Sequence, residues 1–186
     1  MRYLIIVLFF LILTGCQATT NQTGAQAQLL QQSNGNTLGQ KIAFIPPRQV
    51  SWRQQGPIVL ANGAITRTYL PMFQSQTHWD QAFNETYYPK YLFSGRPQVL
   101  LKTIERITRG TCHEVNFKML SSKKSATTYT SSGFYCENGN ERFETGKIML
   151  GANGLYLLQY MARPNKVSER SIQFGMNAVM AGRLGQ

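Results

Sequence analysis

The sequence predicts an α+β domain in which an antiparallel β-meander follows one helix and precedes another. From Cys112 onward, strand-like segments alternate with short turns rich in Lys, Ser, Asn and Gly. Such short connections favour antiparallel neighbours. One helical apolar repeat precedes these strands and a second follows them. We expect helices and strands segregated in this way to form a sheet with both helices on one face.

Order is expected from residue 41 onward. A short apolar run at residues 42–45 stops at two prolines. Two strand-like runs, 57–60 and 64–70, flank Asn62-Gly63, the dipeptide that favours a type I′ hairpin turn. Alternation over residues 79–88 predicts another strand.

The first helix is expected to begin at Pro97, because proline fits the first turn, and to end at Gly110. Apolar residues at helical spacing define its expected buried face, which contains Val99, Leu100, Thr103, Ile104 and Ile107. The last helix is predicted from Ser168 as its N-cap and Glu169 in its first turn. Its apolar positions are Ile172, Met176, Val179 and Met180.

Four strands of the meander are predicted between these helices, at residues 113–120, 127–135, 142–150 and 155–161. Asn138-Gly139 and Asn153-Gly154 mark two of the turns. Side-chain alternation in the first of these strands predicts a core side that contains His113, Val115, Phe117 and Met119.

Leu13-Thr14-Gly15-Cys16 follows an apolar run at residues 3–13 and one cation, Arg2. It resembles the lipobox of bacterial lipoproteins, in which signal peptidase II cleaves before the cysteine and the thiol carries a lipid. The run is too short for a membrane helix, which needs roughly 20 apolar residues. The resemblance implies a signal peptide at 1–15 and lipidation at Cys16.

Gln17 follows the lipidated cysteine, where an aspartate would favour the inner membrane of a Gram-negative cell. We therefore expect an outer-membrane protein that faces the periplasm. The segment up to residue 40 is polar and uncharged, so 16–40 are predicted to form a flexible tether, averaging roughly 27 Å as a random coil. Residues 41–186 remain for a single domain.

The two other cysteines are predicted to form a disulfide in that oxidising compartment. If the hairpin closes around Lys124, Cys112 and Cys136 oppose each other, with Cβ atoms about 4.5–5.5 Å apart. The bridge would then lie on the outer face of the hairpin, with Glu114. The alternative is two reduced, unconnected thiols.

Loss of residues 1–15 removes Arg2, so Lys plus Arg falls from 19 to 18 against 8 acidic residues and the net charge is +10. Such a chain suits anionic partners, namely lipopolysaccharide, peptidoglycan or phospholipid, whereas the compartment argues against nucleic acid. Lys102, Arg106 and Arg109 fall on the polar side of the predicted helix and form a candidate binding face. A solvated helix face is the alternative interpretation.

No arrangement of residues indicates catalysis, so we expect neither an enzyme nor a cofactor. His78 and Asp80 flank Trp79, and Cys112 precedes His113, but neighbouring residues on a strand point to opposite faces. Two histidines and two bridged cysteines do not provide the converging ligands of a metal site. Sequence motifs for phosphate loops, nucleophile elbows and zinc proteases are absent.

Several motifs in the second half resemble a diffuse group of small Gram-negative outer-membrane lipoproteins: Tyr87-Tyr88-Pro89, Cys112, residues 135–139 and residues 146–156. Some of that group accompany envelope-spanning secretion machines, including the Dot/Icm type IV system. The resemblance implies a scaffolding protein that contacts envelope or secretion-complex proteins. The aromatic stretch 87–93 fits either a core or an interface.

Overall fold

A computed structural model of the protein describes residues 40–136 and 141–185. All of these residues belong to one compact unit. The predicted signal peptide, Cys16 and nearly all of the predicted tether lie outside the described residues. Among the described residues, no helix is long and apolar enough to cross a membrane.

The described residues contain nine strands and three helices. In chain order these are β1 (Ile42–Ala43), β2 (Trp52–Val59), β3 (Ile65–Pro71), β4 (Gln81–Pro89), α1 (Lys90–Phe93), α2 (Pro97–Thr111), β5 (Cys112–Ser122), β6 (Ala126–Cys136), β7 (Arg142–Gly151), β8 (Gly154–Ala162), α3 (Glu169–Ala181) and β9 (Arg183–Leu184). The α+β class is therefore confirmed, as are the two predicted helices and the four-stranded meander.

Seven strands form one antiparallel sheet in the order β2-β3-β4-β8-β7-β6-β5. Strands β5 to β8 are the predicted meander. The pairing of β4 with β8 was not predicted, and it runs from Gln81 opposite Ala162 to Pro89 opposite Gly154. Because of this pairing, β2, β3 and β4 extend the sheet of the meander.

The hairpin of β2 and β3 turns at Asn62-Gly63, but the predicted type I′ turn is wrong. Leu60 and Ala64 close a three-residue loop, in which Leu60 N donates to Ala64 O at 2.7 Å. Only Gly63 in this loop has a positive φ, of 83°. The loop is therefore a type I turn followed by a left-handed glycine, the commonest three-residue hairpin connection.

The two long helices lie on opposite faces of the sheet, so the prediction that they share one face is wrong. Along β8, Leu155 and Leu157 pack in a cluster with Leu100 of α2. The intervening Tyr156 packs in a second cluster with Val179 of α3. Strand β8 lies in the middle of the sheet and is apolar on both sides, so each of its faces needs a covering layer.

The face under α3 is also covered by the segment that precedes β2. The ring of Phe44 lies 5.2 Å from Tyr69 and 5.3 Å from Phe83. At the start of this segment, β1 pairs with β9, with Ile42 opposite Leu184. The first and last strands therefore close the same layer of the domain.

Helix α3 is fixed at both ends by hydrogen bonds. Ser168 is its N-cap, as predicted, and its hydroxyl accepts from Ser171 N at 3.2 Å. At the other end, Lys147 of β7 donates to the carbonyls of Met180 and Gly182 at 2.8 and 2.7 Å. These contacts satisfy carbonyls that the helix itself leaves unpaired.

Candidate binding surfaces

The predicted disulfide is present, with Cys112 opposite Cys136 and the two side chains bridged. The hairpin closes between Lys123 and Ala126, whose backbones exchange two hydrogen bonds. A turn that closes at Lys123 and Ala126 pairs Ser122 with Thr127, one residue out of the predicted register. The irregularity between Met119 and Ser121 removes this offset, so Cys112 lies opposite Cys136 as predicted.

The bridge is buried, so its predicted place on the exposed outer face is wrong. Cys112 and Cys136 are 6% and 9% exposed, whereas Glu114 beside them is exposed. Tyr135 has a φ of 49°, which breaks the side-chain alternation of β6 just before Cys136. Gly133 leaves room for the bridge, because a Cβ there would lie 2.7 Å from Cys112 Sγ.

The predicted core side of β5 is covered only in its middle. Phe117 is half-buried and stacks on Tyr129 with ring centroids 5.1 Å apart. His113 is exposed and Met119 is 52% exposed, so the prediction for these two is wrong. Strand β5 is the edge of the sheet, so its side chains have a neighbouring strand on only one flank.

The candidate basic face lies on α2 away from the sheet, with Lys102, Arg106 and Arg109 all exposed. Arg109 is paired with Glu105 one turn earlier, at 2.9 Å. This pairing offsets part of the charge of the face. Its role in binding stays a prediction.

The buried stripe of α2 differs from the predicted one. The buried residues are Pro97, Leu100, Leu101, Ile104 and Thr108. Val99 and Ile107 are 42% and 58% exposed, so their assignment to the core is wrong. Helix α2 packs over β5, β6 and β7, and Leu100 also reaches Leu155 and Leu157 of β8.

Glu144 of β7 is the most deeply buried charged residue of the described part, at 1% exposure. Its Oε1 accepts hydrogen bonds from Tyr129 OH and from Gln159 Nε2, the latter at 2.8 Å. Its Oε2 accepts from Arg142. Both carboxylate oxygens are therefore satisfied, as a buried charge requires.

This carboxylate also changes the titration of its neighbours. Burial and the nearby Glu144 raise the pKa of Tyr129 well above its usual value. Burial, then Glu144, raises the pKa of Tyr88 to about 12. Two phenols that hold their protons this firmly are suited to hydrogen-bond donation and poorly suited to proton transfer near neutral pH. The hydrogen bonds of the cluster connect β6, β7 and β8.

A second buried carboxylate, Glu85 of β4, connects the sheet to the amino-terminal segment. Its Oε1 accepts from Ile42 N at 3.2 Å. Its Oε2 accepts from Tyr69 OH at 3.2 Å and lies 3.6 Å from Arg67 Nη1. Through these contacts, the sheet holds β1 in place against β9.

Neither histidine contributes to a converging group. His78 lies in the exposed β3–β4 loop and its Nδ1 is 2.9 Å from Thr77 Oγ1. His113 is exposed on the edge strand at the other side of the sheet. In residues 40–136 and 141–185, no three or more His, Cys, Asp or Glu side chains are arranged to hold a metal ion.

The aromatic stretch 87–93 is divided between core and surface. Tyr87 packs against Tyr156 at 5.1 Å between ring centroids, and Tyr88 packs against Phe93 at 5.3 Å. Tyr91, by contrast, is 73% exposed. The core interpretation therefore holds for most of the stretch but not for Tyr91.

The β3–β4 loop presents Phe73, which is fully exposed. The loop around it is held by hydrogen bonds. Gln74 and Asp80 exchange two, at 2.9 and 2.8 Å, and Arg53 donates to the carbonyl of Gln74 at 3.0 Å. Met72 beside Phe73 is 49% exposed. An aromatic side chain on an ordered loop loses little freedom on binding, which suits a contact with another protein.

Stability is expected to fall at high pH because buried tyrosines resist ionisation. Burial, then Glu85, raises the pKa of Tyr69 to about 12. A raised folded-state pKa gives stability that is full below the unfolded value of about 10 and is lost as pH rises towards 12. Urea unfolding at about pH 9 and about pH 12 measures the loss. A Tyr69→Phe variant should lose less, and an unchanged midpoint would contradict the expectation.

No protein-family model matches this chain, and no curated protein matches it either. The family resemblance therefore rests on the sequence motifs, and the lipid anchor and the partners that it implies stay predictions.

Proposed function

We propose that this protein is an outer-membrane lipoprotein that faces the periplasm and acts as a scaffold within a secretion or envelope complex. The observation that carries the proposal is the sequence Leu13-Thr14-Gly15-Cys16 at the end of the apolar run of residues 3–13. The buried bridge between Cys112 and Cys136 supports it, because such disulfides persist in oxidising compartments such as the periplasm.

The β3–β4 loop supports the scaffolding part of the proposal. Phe73 lies at the end of the sheet where β3 finishes and β4 begins, whereas Gln40 lies at the other end, beside Ala152 of the β7–β8 turn. A domain held through the segment before Gln40 can therefore present Phe73 to a protein partner. We assign the loop as the partner contact and Phe73 as its anchor.

Replacing Cys16 by serine, with a cleavable secretory signal in place of residues 1–15, is expected to release a folded domain from the membrane fraction. The reason is that several acyl chains hold a protein firmly, whereas this variant carries none. Palmitate labelling and envelope fractionation measure the effect. The matched control is the same signal exchange with Cys16 retained and a lipobox before it, which should stay labelled and membrane-bound. An unlabelled wild-type chain would refute the anchor.

The partner contact is tested by a photoreactive amino acid at position 73 in living cells. A discrete crosslinked product is expected from position 73 and none from Gln76, which is exposed on the same loop. Phe73→Ala should remove the partner from affinity capture without changing the melting temperature. Equal crosslinking from both positions would show that the loop has no specific partner.

Binding of anionic envelope components is the second candidate function. The net charge of +10 after loss of Arg2, from 18 basic and 8 acidic residues, favours it, as does the exposure of Lys102 and Arg106. Capture of lipopolysaccharide or peptidoglycan that weakens steeply with salt would support it. Unchanged capture after replacing Lys102, Arg106 and Arg109 together by glutamine would exclude this helix face.

A further inference from the structure

Three turns between strands lie at the same end of the sheet as Gln40, the first described residue. Strand pairing places the β2–β3, β5–β6 and β7–β8 turns at this end, together with α1 and the start of α2. Gln40 lies there too, because its backbone N donates to Tyr156 OH at 3.2 Å and its side chain accepts from Ala152 N at 3.3 Å. The described part of the chain therefore begins at this end.

The exposed charged side chains described at this end of the sheet are all basic. Five exposed basic residues lie at this end: Lys41 before β1, Lys90 in α1, Arg96 before α2, and Lys123 and Lys124 in the β5–β6 turn. The acidic residues of the described part lie elsewhere. Asp80, Glu114, Glu141 and Glu169 are at or near the starts of elements at the opposite end, and Glu85, Glu105 and Glu144 lie between the ends. We name this surface, defined by the five cations, the basic end.

Exposed apolar side chains lie among these cations. Tyr91 is 73% exposed, Leu60 is 40% exposed and Leu150 is 38% exposed. They are neighbours, since a Cβ at Gly63 would lie 2.4 Å from Tyr91 OH and one at Gly95 would lie 3.8 Å from Leu150 Cδ1 and 3.9 Å from Lys90 Cγ. Tyrosine beside lysine, with a few leucines, is the composition that sits at a membrane–water interface.

We propose that the basic end binds the surface of a membrane that contains anionic phospholipid, with the five cations against headgroup phosphates and Tyr91 at the interface. The inference rests on the proposed lipid anchor, since a chain held through Cys16 and entering the domain at Gln40 brings this end towards the bilayer. It also orients Phe73 away from the membrane.

The experiment uses the mature chain with Cys16→Ser, so that lipidation makes no contribution. Cosedimentation with phosphatidylglycerol–phosphatidylcholine vesicles is expected, with little binding to phosphatidylcholine alone and a steep loss with added salt. Lys90→Gln, Lys123→Gln and Lys124→Gln together should weaken binding about 100-fold, from the usual contribution of a cation near such a surface. Tyr91→Ser should weaken it further.

The matched control removes the same charge outside the basic end and outside α2, through Arg48→Gln, Lys166→Gln and Arg170→Gln, which are all exposed. It should bind almost as well as the parent chain. Equal loss in both triple variants would show a response to net charge alone and overturn the assignment, as would absence of binding by the parent. Palmitate labelling of wild-type Cys16 is independent of this outcome, so failure of the anchor and failure of the basic end are distinguishable.

Discussion

Replacing Glu144 by leucine is expected to lower the free energy of unfolding by about 3–5 kcal/mol. The carboxylate accepts hydrogen bonds from Tyr129, Gln159 and Arg142 at a site with 1% exposure. Leucine leaves the buried hydroxyl of Tyr129 without its acceptor and removes the carboxylate from the half-buried Arg142 and Gln159. Gln159 then keeps only Tyr129 OH as an acceptor, and Arg142 Nη2 keeps only Met161 Sδ. Each unpaired buried group costs about 1–3 kcal/mol, and more if it is charged.

Urea unfolding measures this effect, with Glu114→Leu as the control because Glu114 is exposed on the outer face of β5. The control should change stability by less than about 0.5 kcal/mol. Glu144→Gln should lower the free energy of unfolding by an amount between those of the two leucine variants. Its amide oxygen still accepts hydrogen bonds, but its amide nitrogen presents donors to Arg142. Similar midpoints for the Glu144 and Glu114 leucine variants would show that the network contributes no stability.

Loss of the disulfide is expected to lower the free energy of unfolding by about 3 kcal/mol, as the chain-entropy model gives for a loop of 24 residues. Cys112→Ala with Cys136→Ala is the variant, and it should match the reduced wild-type chain. Both should melt at a lower temperature than the oxidised chain.

Thiol labelling of the folded, non-reduced chain decides whether the bridge forms in the cell. No reactive thiol from this pair is expected in protein extracted from the envelope. Two free thiols, or an oxidised chain no more stable than the double variant, would show that the register or the compartment had been misjudged.

The parts of the fold that depend on neighbouring residues could be predicted from the sequence. The turn at Lys123–Ala126 and the spacing from Cys112 to Cys136 are local, so hairpin symmetry was enough to pair the cysteines. Ser168 was recognisable as a cap because its partner, Ser171, lies three residues away. Such features are specified by hydrogen-bonding chemistry that acts within a few residues.

The pairing of β4 with β8 could not be predicted in this way, because nothing local brings Phe83 opposite Tyr160. Without this pairing, a four-stranded meander needs cover on only one face. For this reason both helices were expected on the same face of the sheet. The uninterrupted apolar run at residues 155–158 was the available signal of burial on both faces. Val99 and Ile107 were misplaced because helical periodicity defines a face without showing how far the sheet beneath it extends.

The basic end as a whole could not be recognised from the sequence either. Lys41, Arg96 and Lys124 lie far apart in the chain, and they meet at one end only through the strand register and the contacts of Gln40. A search for local charge clusters finds only the adjacent Lys123 and Lys124 of this surface, besides the cluster on α2, where Arg109 is already paired with Glu105. Phe73 gave no sequence signal, since an aromatic residue in a strand-rich region normally indicates a core.

The β4–β8 pairing also has a kinetic consequence. In a chain that emerges amino-terminus first, β4 appears before β8, the strand that covers its open edge. Their closest paired positions, Pro89 and Gly154, are 65 residues apart in sequence. Until β8 follows, that edge offers unpaired backbone groups next to the aromatic ring of Phe83. Pairings between distant segments form slowly, and exposed strand edges invite aggregation. We therefore expect folding to wait for β8, and β2, β3 and β4 to be the part of the chain most prone to aggregate before β8 pairs with β4.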